Sequence, residues 1–279
     1  MKGRNFTAEQ LGENKSTDRH ARARYHFALK GLPMNINPPF GYTDIAPLGR
    51  NQKVRLLAPG EVPGFARTLN SIPISYTEFA LVAREYPIIF SSAGNNQAYA
   101  PVAVLGMAAG ENLYDNGGKW ASNVYVPAYA RRFPFCMTKV TLDKVEQQNR
   151  LICVEKDYLD EKNGESMFDS KGQPLAKWKE IEKLLTEYEV DLERSHEMCG
   201  ILADYGLFEP FTMQAKFNSG AGPLHLTGMH RVVESKIEHL NASQLKNLVK
   251  KGILSRVYAH LLSLDNFARL LDRKASKAA

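Results

Sequence analysis

The sequence predicts an α+β protein: a curved, largely antiparallel sheet with helices packed outside it, in one main body behind an extended N-terminal arm. Three observations predict it. Short apolar runs bounded by Pro, Gly and Asn recur between residues 87 and 154, as buried strands require. Asp115-Asn116-Gly117-Gly118, flanked by Tyr114 and Lys119-Trp120, is a hairpin signal, since Asn and Gly tolerate the positive φ of tight turns. From Lys177 to about Ala203 the apolar period changes to that of a helix.

The elements follow in order. Residues 1–30 hold seven Lys/Arg against three Asp/Glu and are expected to form a flexible arm or a short exposed helix. Residues 31–64 carry six of the fourteen prolines, which fix φ and push the preceding residue toward extended backbone. That stretch is expected to wrap over the body, with one short strand at Lys53–Leu57. Residues 1–50 are assigned to arm and extension, and residues 51–279 to the main domain.

Tyr76 or Thr77 opens a helix whose first turn holds Glu78, a carboxylate placed to suit the helix dipole; Pro87 stops it. Pro87–Phe90 and Tyr99–Met107 are predicted as buried strands, with Gly94-Asn95-Asn96 turning between them. Val126–Ala130 is predicted as a short helix with Pro127 in its first turn. Asn149–Val154 is a strand, and residues 157–174 are polar and turn-rich. Trp178, Ile181, Leu184, Leu185 and Tyr188 recur at helical spacing over Lys177 to about Ala203, long enough to break near Val190. Phe211–Phe217 and Leu224–Val233 are strands joined through Asn218–Gly222. Asn241 or Ser243 caps a helix ending near Gly252, and Ile253–Leu271 forms a final one. The last seven residues form a basic tail.

Composition bounds the function. Hydrophobic residues make up 44% of 279, which excludes bulk disorder. Three scattered cysteines, Cys136, Cys153 and Cys199, are too few for a disulfide framework and predict buried free thiols. No run approaches the roughly 18 to 20 apolar residues of a membrane span, and the start lacks the apolar region of a signal peptide. The expected location is the cytoplasm. The net charge of +6 lies partly at the two ends, where it solubilises. Nucleic acid is not an expected partner, because no RNA-binding aromatic motif is present.

Ordered motifs run through the body: Pro73, Glu78-Phe79, Tyr86–Phe90, Pro101–Gly106, Gly110–Leu113, Trp120 and Tyr125–Phe135. Later come Leu226-Thr227-Gly228, Val232-Val233-Glu234, and Tyr258–Leu261 with Ser263. Over roughly Val54 to Leu271 this pattern resembles the bacterial SapC-like family. The resemblance implies a link to a surface-layer locus. It also implies gene neighbourhoods with TonB-dependent receptors, halogenase-like flavoproteins and cupin-like oxygenases. It brings no catalytic residues. A peptide-transporter permease shares the name, and its transport role does not carry over to a chain without a spanning segment.

Tyr125, Tyr129, Arg131 and Arg132 form the leading candidate surface. Guanidinium groups pair with carboxylate, phosphate or sulfate while aromatic rings stack, so the surface suits an anionic peptide or glycan. The alternative is an interior arginine stapling loops. Glu111 and Asn112, in a loop after a buried strand, are second candidates for a ligand; the simpler reading is that they satisfy backbone donors. His225, His230, Glu234 and His239, with His260, invite a metal reading. His225 and His230 are five apart, however, and face opposite sides of a regular strand, so separate histidines are expected and no metal or cofactor is assigned. His260 is expected to be buried and hydrogen-bonded. Ser195-His196-Glu197 diverge on a helix and make no triad. The expected function is therefore a non-catalytic binding or assembly protein, envelope- or surface-layer-associated, with a protein partner or a second copy. The alternative is an enzyme or accessory protein acting on peptide or sugar beside an oxygenase or halogenase-like partner.

Overall fold

The structure, a computed structural model, describes residues 34–92, 98–142, 145–146, 150–215 and 224–278. The N-terminal arm, the turn at Gly94–Asn96 and the Asn218–Gly222 connection fall outside the described residues.

The fold is α+β, with seven helices and several antiparallel sheets, none closed into a barrel, among the described residues. Five strands make the main sheet: β1 (Ser71–Pro73), β2 (Ile88–Ser92), β3 (Tyr99–Val104), β4 (Phe208–Ala215) and β5 (Leu224–Val232). Their order is β4-β5-β2-β3-β1, all antiparallel. Ile88, Ile89 and Phe90 on β2 and Val102, Ala103 and Val104 on β3 are buried in succession, the pattern of strands covered on both faces. A smaller sheet pairs Leu151–Glu155 with Ile45–Pro47 on one side and Phe135–Thr138 on the other. The proline-rich stretch is thus partly strand, while the strand expected at Lys53–Leu57 is only Lys53–Val54. Asp115–Asn116 and Lys119–Trp120 form the expected hairpin, with Gly117 at φ 67° and Gly118 at φ 93°.

The long helix, Ala176–Asp204, runs unbroken for 29 residues. No break falls at Val190: that side chain is 57% exposed, so its β-branch meets no packing conflict. No Pro or Gly precedes Gly200 within the helix. Trp178, Leu185, Tyr188, Met198 and Leu202 form its buried face. The predicted final helix divides instead into Ile253–Ser263 and Asn266–Ala278. Two side chains explain the corner. Ser263 Oγ donates to His260 O (2.6 Å) and accepts from Ile88 N (2.9 Å). Asn266 Nδ2 donates to Ala83 O (2.8 Å) and Tyr86 O (3.1 Å). The basic end is not a loose tail either. It continues the last helix, where Lys274 pairs with Glu111 (2.6 Å) and Lys277 Nζ donates to Asp115 O (2.6 Å).

Candidate functional site

Glu78 organises the candidate region. It closes a capping box with Ser75 at the turn Tyr76–Glu78: its Oε2 accepts from Ser75 N (2.7 Å) and Ser75 Oγ (2.8 Å). Its Oε1 accepts from Ala128 N (2.6 Å) and Tyr125 Oη (3.0 Å). One buried carboxylate thus ties the first turn after β1 to the segment Tyr125–Ala128. Tyr86 reinforces the tie, donating to Tyr125 O (2.6 Å) while accepting from Trp120 Nε1 (2.7 Å). The sequence favours Glu78 for the helix dipole; two of its four bonds close the local box with Ser75, and the other two need partners about fifty residues away, which no local pattern signals.

The short helix Ala128–Arg131 follows Pro127. Its last turn separates the two arginines. Arg131 is exposed; Nε donates to Val126 O (2.9 Å), Nη2 to Tyr125 Oη (2.8 Å), and Cζ lies 5.3 Å from the Tyr125 ring centroid. Among the described residues it has no carboxylate partner. Arg132 is buried, with Cζ 4.2 Å from the Tyr129 ring centroid, 4.7 Å from Tyr188 and 5.7 Å from Tyr42. Rings at these distances stabilise a desolvated cation through their negative faces. Arg132 Nη1 lies 3.6 Å from Glu189 Oε1, and Glu189 also meets Arg150 Nη1 at 2.5 Å. Burial raises the Glu189 carboxyl above its usual range although Arg150 and Arg132 oppose the shift. Burial likewise raises the Tyr129 phenol, against the pull of Arg132.

Two clefts meet along this segment. Arg131, Arg132, Ala130 and Phe133 line one of about 710 Å³, with Ile181 and Leu184 of the long helix opposite and Arg55 and Lys177 at its rim. Arg55 is 3.9 Å from Glu61 and stacks 3.9 Å from the Tyr158 ring centroid; Lys177 pairs with Glu165. A second cleft, about 440 Å³, shares Arg131 and Leu184 and continues past Tyr188 to Asp191. Arg132 also lines a third, of about 470 Å³, beside Tyr129, Tyr188, Glu189 and Arg150. Tyr125, Tyr129, Arg131 and Arg132 are therefore neighbours, as their spacing requires, but Arg131 meets solvent while Arg132 serves the interior.

Glu111 and Asn112 sit elsewhere. Asn112 is buried: Nδ2 donates to Ala66 O (2.8 Å) and Oδ1 accepts from Tyr114 N (2.9 Å). Glu111 accepts from Met107 N (2.9 Å) and pairs with Lys274. Both atoms of the Asn112 amide are committed to backbone.

His260 is fully buried with both ring nitrogens engaged. Nδ1 faces Ile88 O at 2.8 Å and Nε2 accepts from Val232 N at 3.1 Å, which fixes the Nδ1–H tautomer. Burial lowers its pKa to about 4. His239 is exposed, facing Ser235 O (2.9 Å). Among the described residues, no three His, Cys, Asp or Glu side chains stand close enough to hold a metal ion. Among them, too, no helix is long and apolar enough to cross a membrane.

The SapC family model matches residues 52–270. The chain belongs to the SapC family. No curated protein and no solved structure matches it. The SapC pattern in this chain falls largely on the framework just described: Glu78, Tyr86, Trp120, Tyr125, His260 and Ser263 each join elements distant in sequence.

Proposed function

We propose that this SapC-family protein is a non-catalytic binding or assembly protein that holds an anionic ligand at Arg131. The observation that carries the reading is the contrast within one cleft: Arg55, Arg132 and Lys177 have carboxylate partners, and Arg131 has none among the described residues. A guanidinium fixed by two hydrogen bonds, backed by a tyrosine ring and facing an open cleft, is pre-organised for carboxylate or sulfate. The polar groups that a catalytic constellation would draw on are already committed. Glu78 accepts four hydrogen bonds, His260 uses both nitrogens, and Asn112 uses both ends of its amide. The SapC resemblance to a surface-layer locus supports an assembly role at the envelope, performed from the cytoplasm through a protein partner.

The test is binding of a panel of anionic peptides and glycans to the parent protein, Arg131→Gln and Arg132→Gln, with the thermal midpoint measured in parallel. The reading expects Arg131→Gln to abolish binding at an unchanged midpoint. Retained binding in that variant, or no binding by the parent protein, overturns it.

A further inference from the structure

The two clefts that meet at Arg131 lie along one face of the long helix. Lys177, Ile181, Leu184, Tyr188 and Asp191 recur at spacings of three and four, so they form a single stripe. Lys177 and Ile181 line the larger cleft, Tyr188 and Asp191 the smaller, and Leu184 lines both. Among the described residues, Arg131 is the only other one common to the two. The fourteen steps of helix from Lys177 to Asp191, at about 1.5 Å each, make a stripe about 21 Å long. An extended chain covers that length with about six residues.

We propose that the two clefts form one groove for an extended peptide of six or seven residues with a single acidic side chain at its centre. The proposal rests on the anion-binding reading of Arg131 and adds the class and length of the ligand. Charge sets the acidic position. At one end Lys177 is neutralised by Glu165; at the other Asp191 is engaged by Arg194 (3.1 Å) and Thr77. Only Arg131, at the junction, lacks an opposite charge among the described residues lining the stripe and its ends. An acidic side chain there gains a charge-assisted bond, while acid elsewhere meets paired groups.

The walls select peptide over glycan. Sugar rings commonly stack on open aromatic faces, and the aromatic side chains lining the groove are turned inward. Phe133 and Tyr188 are 7% and 3% exposed. What the groove offers instead is aliphatic wall from Ile181, Leu184 and the 57% exposed Val190, which suits small apolar side chains flanking the acid.

The experiment measures fluorescence anisotropy of a labelled heptapeptide, acetyl-Ser-Leu-Ala-Glu-Ala-Leu-Ser-amide, with the full-length chain. Its Glu-to-Gln analogue, N-acetylglutamate and an oligogalacturonate serve as competitors. The heptapeptide is expected to bind at least tenfold more tightly than either its Gln analogue or N-acetylglutamate. Arg131→Gln removes the distinction between the Glu and Gln peptides. Lys177→Glu and Val190→Glu, exposed positions at opposite ends, each weaken the heptapeptide at least fivefold and leave N-acetylglutamate unchanged. If the heptapeptide gains nothing over N-acetylglutamate, or either end variant has no effect, the single groove is wrong while the anion site at Arg131 stands. Preferential binding of oligogalacturonate overturns the peptide assignment. No binding by any probe overturns both readings.

Discussion

Arg131 and Arg132 are adjacent in the chain and opposite in setting. Arg131 meets solvent, while Arg132 is 4% exposed between the Tyr129 and Tyr188 rings with Glu189 as its counter-charge. Breaking a buried ion pair by removing one partner strands the other charge in a low-dielectric site and costs about 3 to 5 kcal/mol. Surface changes away from such features stay within about 0.5 kcal/mol. Arg132→Gln is therefore expected to lose most of that larger amount and Arg131→Gln to stay near the smaller. Urea unfolding of both variants checks it; equal midpoints would show the two arginines to be equivalent.

Glu78 offers a second separation of charge from shape. Its carboxylate accepts four hydrogen bonds, two on each oxygen. Glu78→Gln keeps the volume but turns an amide donor toward either the Ser75 pair or the Ala128–Tyr125 pair, leaving donors unsatisfied at about 1 to 3 kcal/mol. The Tyr125–Arg131 segment should loosen with it. Faster amide exchange at Ala128 in Glu78→Gln, alongside a lower thermal midpoint, is the expected outcome; unchanged exchange at that amide counts against the anchor.

Legibility in the sequence followed the range of the interactions. The hairpin at Asp115–Trp120 and the long helix were readable because positive-φ glycines and helical spacing are local properties. The corner at Ser263–Asn266 was not. It depends on Ile88, Ala83 and Tyr86, about 180 residues away, and an apolar helical pattern runs through it. The docking of the C-terminal helix is hidden in the sequence for the same reason: Lys274 and Lys277 look like tail charges until Glu111 and the Asp115 carbonyl stand beside them. At the candidate site the composition Tyr-Arg-Arg-Phe was visible, but not which arginine turned inward. A four-residue helix has no amphipathic period from which to read that.

The thiols should be present and silent. Cys136 and Cys153 face each other across neighbouring antiparallel strands, and Cys199 is buried in the long helix. Burial pushes all three up to about 12, so almost no thiolate exists at neutral pH. The facing pair occupies a hydrogen-bonded register, since Glu155 N donates to Pro134 O one step along at the same parity (3.0 Å). Side chains stand farther apart at such pairs than at the alternate ones. Alkylation without reductant is expected to modify three thiols after unfolding and none quickly in the native protein at pH 7.5. Fewer than three after unfolding would reveal a disulfide.

His260 makes stability depend on pH. Nε2 must be unprotonated to accept the Val232 amide, and the ring lies in the core against Phe90, centroids 5.0 Å apart. Burial lowers its pKa to about 4, below the unfolded value near 6.5. A depressed folded value means the unfolded chain binds the proton more readily. The stability is therefore fully present above about pH 6.5 and is lost as pH falls toward 4. The difference corresponds to a loss on the order of 3 kcal/mol across that window. His260→Gln, whose side chain carries one donor group and one acceptor, removes the titration. It should be less stable than the parent at pH 7.5 and show a flatter profile between pH 6.5 and 4.5. Thermal midpoints of both proteins across that range decide it, and parallel slopes would place the acid sensitivity elsewhere.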